Sequence, residues 1–137
     1  MSDGRPAIPL SDQSSIRLQH VGVTFPPGTE DTIRSFYAGL LGLAEIAVPE
    51  AVADRGWIWF GTRDPGIELH FIPSDLPPNP ERRHHFCLEV DSLSALRVRL
   101  ESAHAEVHEP GGRIPGRDRL FTRDPVGNLV ELLEMTG

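Results

Sequence analysis

Two histidines and two glutamates stand at almost equal intervals along this chain: His20 and His85 are 65 positions apart, Glu68 and Glu131 are 63 apart. Neutral imidazole and carboxylate suit Zn, Ni, Mn, Fe or Co, and residue type alone does not choose among these ions. The four carry no short spacing signature; each is expected on a strand of its own. Taken singly they have plainer readings. A lone histidine in a strand is usually a surface residue or a hydrogen-bonded one. Glu131, set among Leu129, Val130, Leu132 and Leu133, either faces solvent from an edge strand or points inward and needs a partner, since an isolated buried charge is costly. Together the four favour a site for one divalent metal ion. His70 lies two residues beyond Glu68 and shares its face on a strand, so either can be the fourth ligand, or one can support the other.

The elements that must position these residues come in two copies. Arg63-Asp64-Pro65 precedes Gly66-Ile67-Glu68-Leu69, and Arg123-Asp124-Pro125 precedes the segment from Val126 to Leu132 that contains Glu131. Upstream of each lies an expected strand with a histidine, around His20 and around His85. Each of these is followed by a helical pattern. Two strand–helix–strands units, at about residues 16–73 and 83–135, account for the chain, and the proline-rich segment 74–82 reads as a semi-rigid connector. Residues 1–15 read as a flexible tail without the basic and apolar regions of a secretory signal.

Helix signals support this layout. Thr29 can cap a first helix, with Glu30 and Asp31 in its first turn, Ile33, Phe36, Tyr37, Leu40 and Leu41 on one face, and Gly42 at its end. A second starts from Asp91 or Ser92, carries Leu93, Leu96, Leu100 and Ala103 as its stripe, and ends at His104, a residue type that enters the left-handed region more readily than most. Strand alternation then divides the faces. Ile67, Leu69 and Phe71 go to the helix side with Phe86, Leu88 and Val90; Glu68, His70, His85, Cys87, Glu89 and Glu131 look the other way. With strands at 44–48 and 57–60 the expected order is βαβββ twice: an α+β fold whose mixed sheet curls around a metal-binding cavity.

Composition sets the outer limits. A chain of 137 residues makes one domain. Its net charge of -7 argues against nucleic acid or an anionic membrane as partner. No apolar run reaches the length of about 20 residues that spans a bilayer. One cysteine, Cys87, excludes an intrachain disulfide and fits a reducing, cytoplasmic setting.

The strings LQHVGVTF, SFYAGLLGL, IELHFIP, HHFCLEVDSLSALRVRL and FTRDPVGNLVELLE resemble the vicinal-oxygen-chelate superfamily, which includes glyoxalase I, methylmalonyl-CoA epimerase, fosfomycin- and bleomycin-resistance proteins and extradiol dioxygenases. The likeness spans residues 16–135, and the DPxGN turn followed by a glutamate-bearing strand is its most specific part. It implies His20, His85 and Glu131 as metal ligands, with Glu68 at the fourth position. It also implies a homodimer with the metal site near or across the interface. An octahedral ion held by four such ligands keeps two neighbouring positions, where a small-molecule substrate can chelate through adjacent oxygens. The expected activity is therefore a glyoxalase-like lyase or isomerase that abstracts a proton next to a carbonyl, with Glu131 and Glu68 as candidate bases. The alternatives are an extradiol-type dioxygenase and a non-catalytic protein that sequesters a drug or metabolite, as bleomycin-resistance proteins do.

Other residues carry weaker signals. Trp57, Trp59, Phe60 and Phe121 can line an apolar pocket, but strand aromatics are more often core. Arg113, Arg117 and Arg119 can grip an anion, although solvated loop arginines are the commoner case. Cys87 reads as a small buried filler, and His84 as a structural residue on the helix side.

Overall fold

The computed structural model describes residues 15–63, 66–76 and 84–137; the tail through residue 14, most of the connector and the first Asp-Pro pair lie outside the described residues. In chain order the elements are β1 (His20–Phe25), α1 (Glu30–Arg34), β2 (Ala44–Ile46), β3 (Ile58–Gly61), β4 (Glu68–Pro73), β5 (Phe86–Glu89), α2 (Leu93–Ser102), β6 (Arg117–Arg123) and β7 (Leu129–Met135). They form two small mixed sheets. One has the order β1-β4-β3-β2 and the other β5-β7-β6. In each, the first strand of the unit lies parallel to the last, which pairs antiparallel with its predecessor.

The second unit is a shortened copy of the first. Where β2 would recur, the chain makes a single bridge, His108 to Phe121. The run Glu109-Pro110-Gly111-Gly112 follows at once, and its proline and glycines cannot sustain a ladder. The two sheets stay separate and are not closed into a barrel.

Parity decides what the core contains. Phe25, Ile58, Phe60, Leu69 and Phe71 from one sheet, and Leu120, Val130 and Leu132 from the other, are buried on the helices with Ile33, Phe36, Tyr37, Leu93, Leu96 and Leu100. Each fully buried large side chain contributes about 1.5–3 kcal/mol of transfer free energy. The first helix reaches its core contacts by a change of pitch. After Arg34 it widens into a π-helical turn, Ser35–Leu40, closed by Leu41 N–H donating to Phe36 O (2.9 Å). Thr29 sits at its cap position but makes no capping bond; its hydroxyl donates to Pro26 O (2.6 Å) instead. Ser92 does cap α2, accepting from Ala95 N–H, and His104 follows at φ 58°, the expected left-handed stop.

The DPxGN turn holds the two units together from inside. Asp124 is buried, and its Oδ1 accepts the backbone N–H groups of Val126 and Asn128. Its Oδ2 accepts the Tyr37 hydroxyl (2.6 Å) and the Asn128 side-chain amide (2.9 Å). That amide also donates to Thr24 O on β1 (3.0 Å). A buried carboxylate with four donors is satisfied. Burial, then the charge of Asp124, pushes the Tyr37 hydroxyl well above its ordinary pKa.

Candidate metal centre

The donor residues lie on the sheet faces turned away from the helices, and they form two groups. On the first sheet, His20 on β1 stands opposite Glu68 on β4, and His70 lies on the same face beside Trp59 of β3. The Nε2–H of His70 donates to Glu68 Oε1 (2.8 Å). His70 is 8% exposed and its ring is sandwiched: Trp59 stacks on one side at 3.7 Å and 4°, His20 at 4.0 Å and 18°. Trp57 continues the stack beyond Trp59, with the Arg55 guanidinium above it. The Gln19 side-chain oxygen accepts from His20 Nδ1–H, which leaves the lone pair on Nε2.

On the second sheet, Glu131 faces Cys87 across the β5–β7 pair. His85 precedes β5 by one residue and reaches Glu131 diagonally, its Nε2–H donating to Oε1 (2.9 Å). Arg119 on β6 donates from Nη1 to Glu131 Oε2 (3.3 Å) and from Nη2 to Gly112 O (2.8 Å). The Phe121 ring meets His85 edge-on and opens onto a cleft shared with His108, Arg123 and Leu129.

Several expectations need correction. Arg117 and Arg119 are strand residues of β6, not loop residues. Arg119 is largely buried against Glu131, and its position two residues from Phe121 on an alternating strand was the available signal. Cys87 is exposed rather than a buried filler; partial burial, then the Glu131 charge, pushes its thiol up to about 11. His84 is exposed and fills no place on the helix side. Of the aromatics, Phe60 is core, whereas Trp57, Trp59 and Phe121 lie on the donor-bearing faces.

Whether these residues suit a metal can be tested on their spacing. Two ligand atoms about 2.0–2.2 Å from one ion and at right angles to each other are about 3 Å apart. The pairs Glu68–His70 and His85–Glu131 have that spacing, at 2.8 and 2.9 Å, and imidazole with carboxylate is the right donor chemistry. Among the described residues, no group of three or more such donors converges. The donor types and pair spacing fit; the arrangement is that of two half-sites. His20 and His70 cannot both serve one ion as they stand. Imidazole lone pairs lie in the ring plane, and two nearly parallel planes 4.0 Å apart at their centroids do not meet within reach of either nitrogen.

The family model described as Glyoxalase/Bleomycin resistance protein/Dioxygenase superfamily matches residues 17–132. The chain belongs to that superfamily. A glyoxalase family protein from Bacillus anthracis shares 30% identity over 89% of this chain and 97% of its own, with TM-score 0.78. Two further solved structures match in fold at lower identity. The fosfomycin resistance protein FosX from Listeria monocytogenes is 17% identical, covering 88% of this chain and 91% of its own at TM-score 0.69. The antibiotic binding protein TnmS3 from Streptomyces sp. CB03234 is 20% identical, covering 89% and 98% at TM-score 0.66. None of the curated proteins matches.

Proposed function

We propose that this chain is a metal-dependent glyoxalase-like lyase or isomerase, acting by proton abstraction next to a carbonyl on a substrate that chelates through neighbouring oxygens. The observation that carries this reading is an imidazole beside a carboxylate on each sheet face left open by the helices: His20 opposite Glu68, and His85 at 2.9 Å from Glu131. His20, Glu68, His85 and Glu131 would hold one divalent ion, Zn, Ni, Mn, Fe or Co. Glu68 is preferred to His70 because the His70 ring is clamped between Trp59 and His20, and lies parallel to His20, with which it cannot share one ion.

When bound, the ion supplies Lewis acidity to a carbonyl oxygen. The protein's own residues do the rest. Gln19 sets the His20 tautomer, His70 holds Glu68 at one oxygen, and Glu68 or Glu131 accepts the proton that leaves the carbon and returns it to a neighbouring one. A second copy of the chain would supply the donors that each half-site lacks, and His20 and His85 are exposed to meet it in the single chain. The reading is therefore of a homodimer, with each complete site drawing on two copies.

One observation favours a second reading. Trp57 and Trp59 lie partly exposed on the donor-bearing face of the first sheet, where a bulky aromatic compound can pack against them, and TnmS3 is an antibiotic binding protein of the same fold. A sequestering protein would bind such a compound without turnover. The test is to load the protein with each metal in turn and offer hemithioacetals, 2-substituted acyl thioesters and catechols. Proton exchange or isomerisation of the first two classes supports the lyase or isomerase. Oxygen uptake with catechols and iron would mark the dioxygenase alternative, and stoichiometric binding without turnover would mark the sequestering one.

A further inference from the structure

The two glutamates are held differently. Glu68 is held at one oxygen by His70 and its side chain stays 25% exposed. Glu131 is held at both: His85 on Oε1 and Arg119 on Oε2, with 10% of its side chain exposed. Arg119 is itself fixed. Its other nitrogen donates to Gly112 O, its side chain is 14% exposed, and its strand is paired along its length with the one carrying Glu131. A guanidinium stays charged at any working pH and spreads its donors in a rigid fork. Here one arm of the fork takes a loop carbonyl and the other a carboxylate oxygen.

We propose that Arg119 is a positioning residue that divides the Glu131 carboxylate, holding Oε2 so that Oε1 alone is presented beside His85. Glu131 is then the fixed carboxylate of the site, a one-oxygen ligand, and Glu68 is the movable one. The inference rests on the metal-binding reading above and adds to it which carboxylate is anchored, and by what. Groups that orient a metal ligand typically carry about 10–100-fold of metal affinity. Lysine can restore the charge at this position but not the fork that spans Glu131 and Gly112 at once.

The test is a cobalt(II) titration of the full chain, followed by visible absorption, on wild type, R119M, R119Q and R119K. Folding of each variant is checked by far-UV circular dichroism and urea unfolding. R119M is expected to weaken cobalt binding about 10–100-fold and to change the visible bands, as Glu131 becomes free to bind through both oxygens. R119K should recover part of the affinity without the wild-type spectrum. If R119M does not fold, R119Q carries the same expectation while keeping a donor for Gly112. Wild-type affinity and an unchanged spectrum in R119M or R119Q would overturn the role of Arg119 alone. A wild-type protein that takes up no cobalt would overturn the metal reading, and this inference with it.

Discussion

The imidazole rings of His20 and His70 lie face to face, 4.0 Å apart and 18° from parallel. This bears directly on which residue is the fourth ligand. If His70 supports Glu68, His70→Ala should weaken metal binding within the range of about 10–100-fold usual for a supporting group. Glu68→Gln should weaken it more. Isothermal titration with Zn(II) or Co(II) measures both, and the opposite order would transfer the ligand role to His70.

The Tyr37–Asp124 bond, which ties the first helix to the DPxGN turn, predicts a stability change. Tyr37→Phe removes one of four donors to a buried carboxylate and should cost about 1–3 kcal/mol, read from urea unfolding.

The same bond predicts a pH dependence. The Tyr37 hydroxyl is raised well above its ordinary value of 10.0 in the fold, so above that pH the unfolded chain loses this proton while the folded chain keeps it. Stability from this group is complete below pH 10 and declines as pH rises through and beyond it. Tyr37→Phe should remove that part of the alkaline decline, visible in melting temperatures taken from pH 8 to 11.

Cys87 lies beside Glu131 with its thiol raised to about 11 from 9.0. Only the thiolate reacts with alkylating agents, so at pH 8 iodoacetamide should modify the folded protein roughly 100-fold more slowly than the urea-unfolded chain. Its rate should climb toward pH 11. Equal rates folded and unfolded would contradict the raised value.

Much of the fold was legible because strand parity and helix spacing are local rules. Glu68, His70, Cys87 and Glu131 fall on the faces that alternation assigns them, and Leu93, Leu96 and Leu100 are buried as their spacing requires. What alternation does not carry is partner choice across strands. The repeat pairs Glu68 with Glu131, but the registers differ. Glu68 stands opposite His20, whereas Glu131 stands opposite Cys87, two residues past His85, so His70 occupies the matching place. Glu68 bonds His70 on its own strand, while Glu131 bonds His85 and Arg119. Arg119 resembled a loop residue because glycines and prolines precede it; alternation with Phe121 gives its face, and the β6–β7 register brings it within reach of Glu131. The missing counterpart of β2 has the same origin: one proline and two glycines outweigh the duplicated pattern around them.

The central claim is that His20, His85, Glu131 and Glu68 hold one divalent ion. Elemental analysis of the purified protein after loading with Zn, Ni, Mn, Fe and Co tests it most directly, with His20→Ala, His85→Ala and Glu131→Ala run alongside. The account predicts about one tightly held ion per chain for at least one metal, and its loss in each of the three variants that remain folded. A wild-type chain that retains no divalent ion under any loading condition, or variants that retain as much as wild type, would contradict it.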